Sequence, residues 1–204
     1  MIKLFEYSKS RSVRIHWLLK ELGAEFESVS IDLRKGEQFS PEYKKIHPLG
    51  KVPAIQDGDL TLFESAAICN YLCESYFEKG LIPDPATTER ALYDQWLSFT
   101  LTEVDAKLWA AEGHLWRYPA ESRSPLSLAV LEKELVEALA VIEKELLKKN
   151  CIVSSRFYGV DVMLTQTLLW AKARGHCEGF TNINSYIERN VNRPAFPKEF
   201  YENQ

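Results

Sequence analysis

Residues 50–68 read GKVPAIQDGDLTLFESAAI, and the reading of this stretch decides the fold. The run VPAI is β-like, yet Pro53 stands at its start, where a proline can open a strand but cannot donate to a ladder. Asp57-Gly58 supplies turn chemistry, LTLF makes a second short strand, and the pair forms a hairpin. Glu64-Ser65 then opens a helix over 65–77, SAAICNYLCESYF. An X-Pro bond is the only kind in which cis costs little, about 0.5–1 kcal/mol. A cis Val52–Pro53 bond would turn the Val52 N–H and C=O off the sheet, where an extended peptide can pair with them. A trans proline would simply begin an edge strand, and the local sequence leaves both open. Ser65 is an N-cap residue, and a helix start with its free N–H groups can receive a carboxylate.

Working outward, residues 2–6 (IKLFE) read as a strand. Residues 11–22 read as an amphipathic helix ended by Gly23, and 26–31 (FESVSI) as a second strand. SPEYKKI is a short helix with Ser40 as N-cap and Pro41 in the first turn. The order βαβ, α, ββα defines an α/β unit over residues 1–78. Residues 79–87, with KGLIPDPA at their heart, form a Pro/Gly-rich linker. Residues 88–204 are expected to be all-helical, with apolar-periodic segments at 88–115, 126–149, 160–174 and 181–190. The fold class is α/β plus all-α, with the second unit a helical bundle.

The chain has 204 residues, 46% of them hydrophobic and 26% charged, as in ordinary globular proteins. Its formal net charge of −4 argues against a nucleic-acid partner. No apolar run is long enough to span a membrane, and MIKLFEYSKS lacks a signal-peptide core, so a cytoplasmic protein without a membrane partner is expected. Cys69, Cys73, Cys151 and Cys177 have neither C-x-x-C nor zinc spacing and read as buried apolar residues, so no metal is expected.

GKVPAI and DLTLFESAAI resemble the glutathione-binding part of glutathione transferases, whose thioredoxin-like N-terminal domain carries a cis-proline and a Glu/Gln-Ser pair. SKSRSVRIHWLLKELG is similar to the first-helix motif of bacterial and fungal members, and HPLGKVPAI to their NP-x-G-K-V-P stretch. YGVDVMLTQTLLWA resembles the helix with the family's buried aspartate, here Asp161, and VNRPAF the closing segment. Two departures stand out. His47 replaces the usual Asn before Pro48 and is expected to be a surface loop residue without a role. Tyr158 replaces the Ser/Thr that would complete a capping box with Asp161.

The resemblance implies a transferase conjugating glutathione to hydrophobic small-molecule electrophiles, with glutathione as co-substrate, no other cofactor, a homodimer, and a role in detoxification. The thiol-activating hydroxyl would lie in YSKSRS. The candidates are Tyr7, Ser8, Ser10 and Ser12; Ser10 leads, Tyr7 and Ser8 remain the main alternatives, and at least two of the four hydroxyls are loop or capping groups. Val52, at the Val52–Pro53 step, would pair with the cysteinyl part of glutathione, and Glu64 and Ser65 would hold the γ-glutamyl end. Lys51 and Gln38 would meet the glycyl carboxylate. Arg11, Trp109, Trp116 and Tyr118 would serve the electrophile. Three alternatives stay beside this reading: a non-catalytic protein-interaction subunit of the same fold, a glutathione-dependent peroxidase, and a zeta-type isomerase, whose signature cysteine SKSRSVR lacks.

Overall fold

A computed structural model describes residues 1–8 and 10–201. The chain divides into two compact units, 1–82 together with 191–204, and 83–190.

In the first unit, β1 (Ile2–Glu6) and β2 (Phe26–Ser30) run parallel, joined by α1 (Ser12–Leu22). Parallel neighbours need such a crossover. One flank of α1 is apolar, so Val13, Ile15, Trp17, Leu18, Leu19 and Leu22 are buried. The helix stops at Gly23, whose φ of 65° is left-handed and cheap only for glycine. The short α2 (Pro41–Lys44) starts at Ser40, whose hydroxyl accepts from Tyr43 N–H at 3.2 Å. β3 (Ala54–Asp57) and β4 (Leu60–Phe63) form the expected hairpin, with Asp57 paired to Leu60 across Gly58-Asp59. α3 (Ser65–Ser75) follows, and the strand order is β2-β1-β3-β4. β3 opens at Ala54 rather than at the proline, which leaves Pro53 outside the ladder.

Residues 191–201 also belong to this unit, whereas the sequence pattern assigned them to a helical domain of 88–204; residues 202–204 lie outside the described ones. The reason is local chemistry on α1. Glu21 accepts a bidentate pair from Arg193 at 2.7 and 2.8 Å, and Phe196 packs edge-on against Trp17 at 5.0 Å. Lys20 pairs with Glu199.

The second unit begins with α4 (Thr88–Phe99) and α5 (Ala106–Glu112), separated by a π-helical segment, Thr100–Asp105. A second π segment, Gly113–Arg117, ends this run. α6 (Pro125–Glu145) and α7 (Gly159–Ala173) follow, then α8 (Thr181–Val191), whose last residue falls to the first unit. α7 is apolar on nearly all sides and buried accordingly. Glu143 of α6 caps α8, accepting from the Asn182 and Ile183 N–H groups at 2.9 Å.

Asp161 is fully buried and fully engaged. Its carboxylate accepts from Ile152 N–H and Tyr158 N–H, both at 2.9 Å, and from Tyr186 OH at 2.7 Å. The half of the capping box that belongs to Asp161 is therefore made. The Tyr158 hydroxyl turns instead to Glu89.

Candidate active site

Strand register explains why three separated segments form one site. Phe5, Ala54 and Phe63 lie in one row across β1, β3 and β4. The chain therefore leaves the sheet at the same end after β1 (Tyr7, Ser8, Ser10), before β3 (Lys51, Val52, Pro53) and after β4 (Glu64, Ser65). The Val52–Pro53 bond is cis. Among the described residues Val52 takes no part in the ladder, which begins at Ala54.

The β1–α1 loop is closed by two serines. Ser10 Oγ donates to the Tyr7 carbonyl at 2.8 Å and accepts from Ser12 N–H at 3.1 Å. Ser12 Oγ, fully buried, also donates to the Tyr7 carbonyl at 2.8 Å and accepts from Tyr7 N–H at 2.9 Å. The two hydroxyls stand 2.7 Å apart. Ser12 is thus a loop-building residue. Tyr7 and Ser10 are partly exposed and Ser8 is exposed.

The residues before β3 are held from beneath. Tyr43 OH donates to the Lys51 carbonyl at 2.7 Å, and the Tyr43 ring packs with Phe5, Ile31 and Ala54. Burial pushes the Tyr43 hydroxyl far above its ordinary range, so it remains a donor. Gly50 has φ 60°, and a Cβ there would lie 2.6 Å from the Gln38 carbonyl oxygen, so only glycine lets this turn close against Gln38. Gln38 is buried. Its Nε2 donates to the Leu33 carbonyl at 3.2 Å while its Oε1 has no partner among the described residues. Lys51 is exposed.

At the α3 start, Glu64 has φ 73° and ψ 113°, a region that a residue with a Cβ enters only when its surroundings compel it. Its side chain is exposed and makes no capping bond to α3. Ser65 is buried, and Nη1 of the fully buried Arg14 lies 3.5 Å from its Oγ. The sequence reading passed over Arg14. It stands four residues before Leu18 and eight before Leu22 on the buried face of α1, a spacing that marks a cation kept inside for a partner.

His47 corrects the expectation of a surface residue, because only 3% of it is exposed. Its Nδ1 accepts from Leu49 N–H at 3.3 Å, and its ring lies 4.8 Å from that of Phe63. The turn folds inward because the imidazole supplies both an apolar face and an acceptor.

The expected electrophile set is split between the units. Arg11, half-buried, precedes α1 in the first. The three aromatics belong to the second. Arg117 stacks 3.9 Å from the Trp109 centroid and 4.8 Å from that of Tyr118. The Tyr118 ring lies over Gly113, where a Cβ would stand 2.3 Å from it. Trp116 is 55% exposed, and its indole donates to Glu112 at 2.6 Å. Glu112, also missed in the sequence, is buried and further accepts from Trp170 at 3.0 Å and from Arg174. A carboxylate so surrounded fixes Trp116 in place.

Among the described residues, no group of three or more His, Cys, Asp or Glu is placed to hold a metal, and no helix is long and apolar enough to cross a membrane.

A thioredoxin-like sheet with a cis-proline before β3 and a Glu-Ser helix start, followed by a helical unit, is the glutathione transferase fold. Residues 1–74 match the family described as Glutathione S-transferase, N-terminal domain. Glutathione S-transferase F10 of Arabidopsis thaliana is 44% identical over 95 residues, covering 45% of this chain and 43% of that protein. Elongation factor 1-gamma 1 of Oryza sativa subsp. japonica is 32% identical over 193 residues, covering 87% of this chain and 44% of that protein. The chain thus spans less than half the length of these curated relatives. Glutathione transferase URE2P6 from Phanerochaete chrysosporium, solved in complex with oxidized glutathione, superposes with TM-score 0.88 at 26% identity, covering 98% of this chain and 94% of that one. Residues 1–74 thus match the glutathione S-transferase N-terminal domain, and the whole chain has the glutathione transferase fold.

Proposed function

We propose that this protein binds glutathione at the sheet end where its three segments emerge and transfers the thiolate to a hydrophobic electrophile. The observation that carries this reading is the register row Phe5–Ala54–Phe63, which delivers a hydroxyl loop, an unladdered peptide at Val52 and a helix start to one place. Glu64 and Ser65 would hold the γ-glutamyl end, the Val52 backbone the cysteinyl part, and Lys51 the glycyl carboxylate. Gln38 fits a modified role. Its open Oε1 is an acceptor, which suits the glycyl amide N–H.

A free thiol titrates near 8.5, so lowering it by about two units requires roughly 2.7 kcal/mol. One hydrogen bond to a charged acceptor supplies about 1.5–3 kcal/mol. Ser10 is the first candidate donor. In turning its proton to a thiolate it releases the Tyr7 carbonyl, and Ser12, which donates to the same oxygen, keeps that carbonyl satisfied. Tyr7 and Ser8 are the alternatives. Trp109, Trp116 and Tyr118 would face the electrophile, with Arg11 beside the thiol. The reading carries with it a detoxifying role in the cytoplasm and a homodimer. The dimer draws support from Phe39 and Leu49, 60% and 65% exposed, the first with its ring against Gly50 and the second next to it in the chain.

A second reading, a non-catalytic interaction subunit, is favoured by the elongation-factor relative that matches 87% of the chain. Calorimetry of glutathione binding, with the ultraviolet thiolate signal followed over pH 5–9, separates the two. Binding with a thiolate pKa well below 8 supports the transferase, and its loss in Ser10→Ala but not Tyr7→Phe assigns the hydroxyl. Binding without thiolate formation supports the subunit. Absence of binding at millimolar glutathione sinks the transferase.

A further inference from the structure

His47 lies in the turn that delivers Lys51 and Val52 to the site, and two contacts hold it inside the protein. One is the Leu49 N–H donated to Nδ1; the other is the Phe63 ring, tilted 38° to the imidazole. Phe63 immediately precedes Glu64. His47 therefore joins the segment carrying Lys51 to the segment carrying Glu64. A ring nitrogen that accepts has no proton, so the neutral imidazole carries its hydrogen on Nε2. The charged groups that face it are Glu64 and Lys51. Burial is the largest influence and holds the ring below its ordinary value of 6.5; Glu64 pulls it up and Lys51 pushes it down.

We propose that His47 is a proton-linked positioning residue: its neutral ring clasps the 47–51 turn to Phe63–Glu64, and protonation at Nδ1 opens the clasp. The added proton turns the acceptor into a donor facing the Leu49 N–H, which loses its partner. It also places a second positive charge near Lys51. Both effects loosen the turn, and the one lost neutral hydrogen bond corresponds to about a fivefold fall in ligand affinity. The clasp stands on this chain's own contacts; its effect on ligand affinity rests on the glutathione reading.

The test has two arms. In the free protein, the Leu49 amide resonance and the His47 ring protons are followed by NMR from pH 7.5 to 4.5. The Leu49 amide is expected to move in step with His47, below the ordinary histidine range, and to stay still in His47→Asn, which retains an acceptor and loses the titration. A Leu49 amide that ignores the His47 titration, or moves equally in His47→Asn, overturns the clasp. In the second arm, glutathione dissociation constants are measured over the same range. The parent is expected to weaken about fivefold on the acid side. His47→Asn should be flat, and His47→Phe, which keeps a ring on Phe63 without an acceptor, should be weak at every pH. Equal acid weakening in the parent and His47→Asn overturns the ligand effect. Absence of glutathione binding at all pH values overturns the glutathione reading, while the amide arm still decides the clasp.

Discussion

Replacing Asp161 with Asn tests the second unit at its most committed polar group. The carboxylate is fully buried and receives two backbone N–H groups and the Tyr186 hydroxyl. An Asn keeps one oxygen and turns an NH2 toward a donor on the other side. One charge-assisted bond, about 1.5–3 kcal/mol, is lost outright. The survivors become neutral bonds of roughly half the strength. A total of about 3–6 kcal/mol follows, or about 6–24 °C in Tm for a chain of this size. Equilibrium urea unfolding followed by tryptophan fluorescence measures it. Tyr186→Phe removes one of the three bonds and should cost about 1.5–2 kcal/mol. Burial holds the Tyr186 hydroxyl well above its ordinary pKa of 10.0, with the Asp161 charge adding to the effect. The group is a donor in the fold and an acid in the unfolded chain, so its stabilisation is complete below pH 10 and is lost as pH rises beyond it. An Asp161→Asn loss under about 1 kcal/mol would refute the reasoning. The network would then be decoration on a helix held by its apolar faces.

Further expectations follow from other residues. Glu64→Gly should leave stability unchanged or raise it by up to about 1 kcal/mol, because the φ of 73° no longer burdens a Cβ, while glutathione affinity falls; calorimetry beside urea unfolding reads both, and a clear loss of stability would contradict it. Gly50→Ala forces a Cβ against the Gln38 carbonyl at positive φ and should cost about 1–3 kcal/mol, read by the same unfolding curve. Phe39→Ser should shift sedimentation toward monomer if Phe39 joins two copies; unchanged sedimentation of a dimeric parent removes it from the interface. All four cysteines are buried, and burial pushes the Cys177 thiol up to about 11, so a disulfide reagent at pH 7.5 should find no fast-reacting thiol before denaturant is added.

The sequence was readable wherever local chemistry and global packing agree. Gly23, Ser40-Pro41 and the 57–60 turn mark their boundaries because each performs a local backbone task. The helix start at Glu64-Ser65 was legible in place but not in role: Ser65, expected as the N-cap, is the first residue of α3, and Glu64 is the N-cap without a side-chain capping bond. Other features depend on distant partners. Arg14 looks like a surface cation until Ser65, 51 positions later, is beside it. His47 looks like a loop residue until Phe63 covers it. Glu112 is one acidic residue among many on a long helix until Trp170 and Arg174 arrive. The π segments at 100–105 and 113–117 escaped because one extra residue in a helical turn barely shifts an apolar period.

The return of residues 191–201 to α1 bears on how the protein is made. Synthesis proceeds at roughly 5–20 residues per second, and domains ordinarily fold as they emerge. Here the first unit cannot finish on emergence, because the ring that covers Trp17 and the guanidinium that pairs with Glu21 are encoded beyond the whole helical unit. A nascent chain carrying only the first 82 residues exposes that face of α1 for several seconds or more. In that interval it is a natural client for chaperones, and a stalled ribosome would leave that face of α1 uncovered.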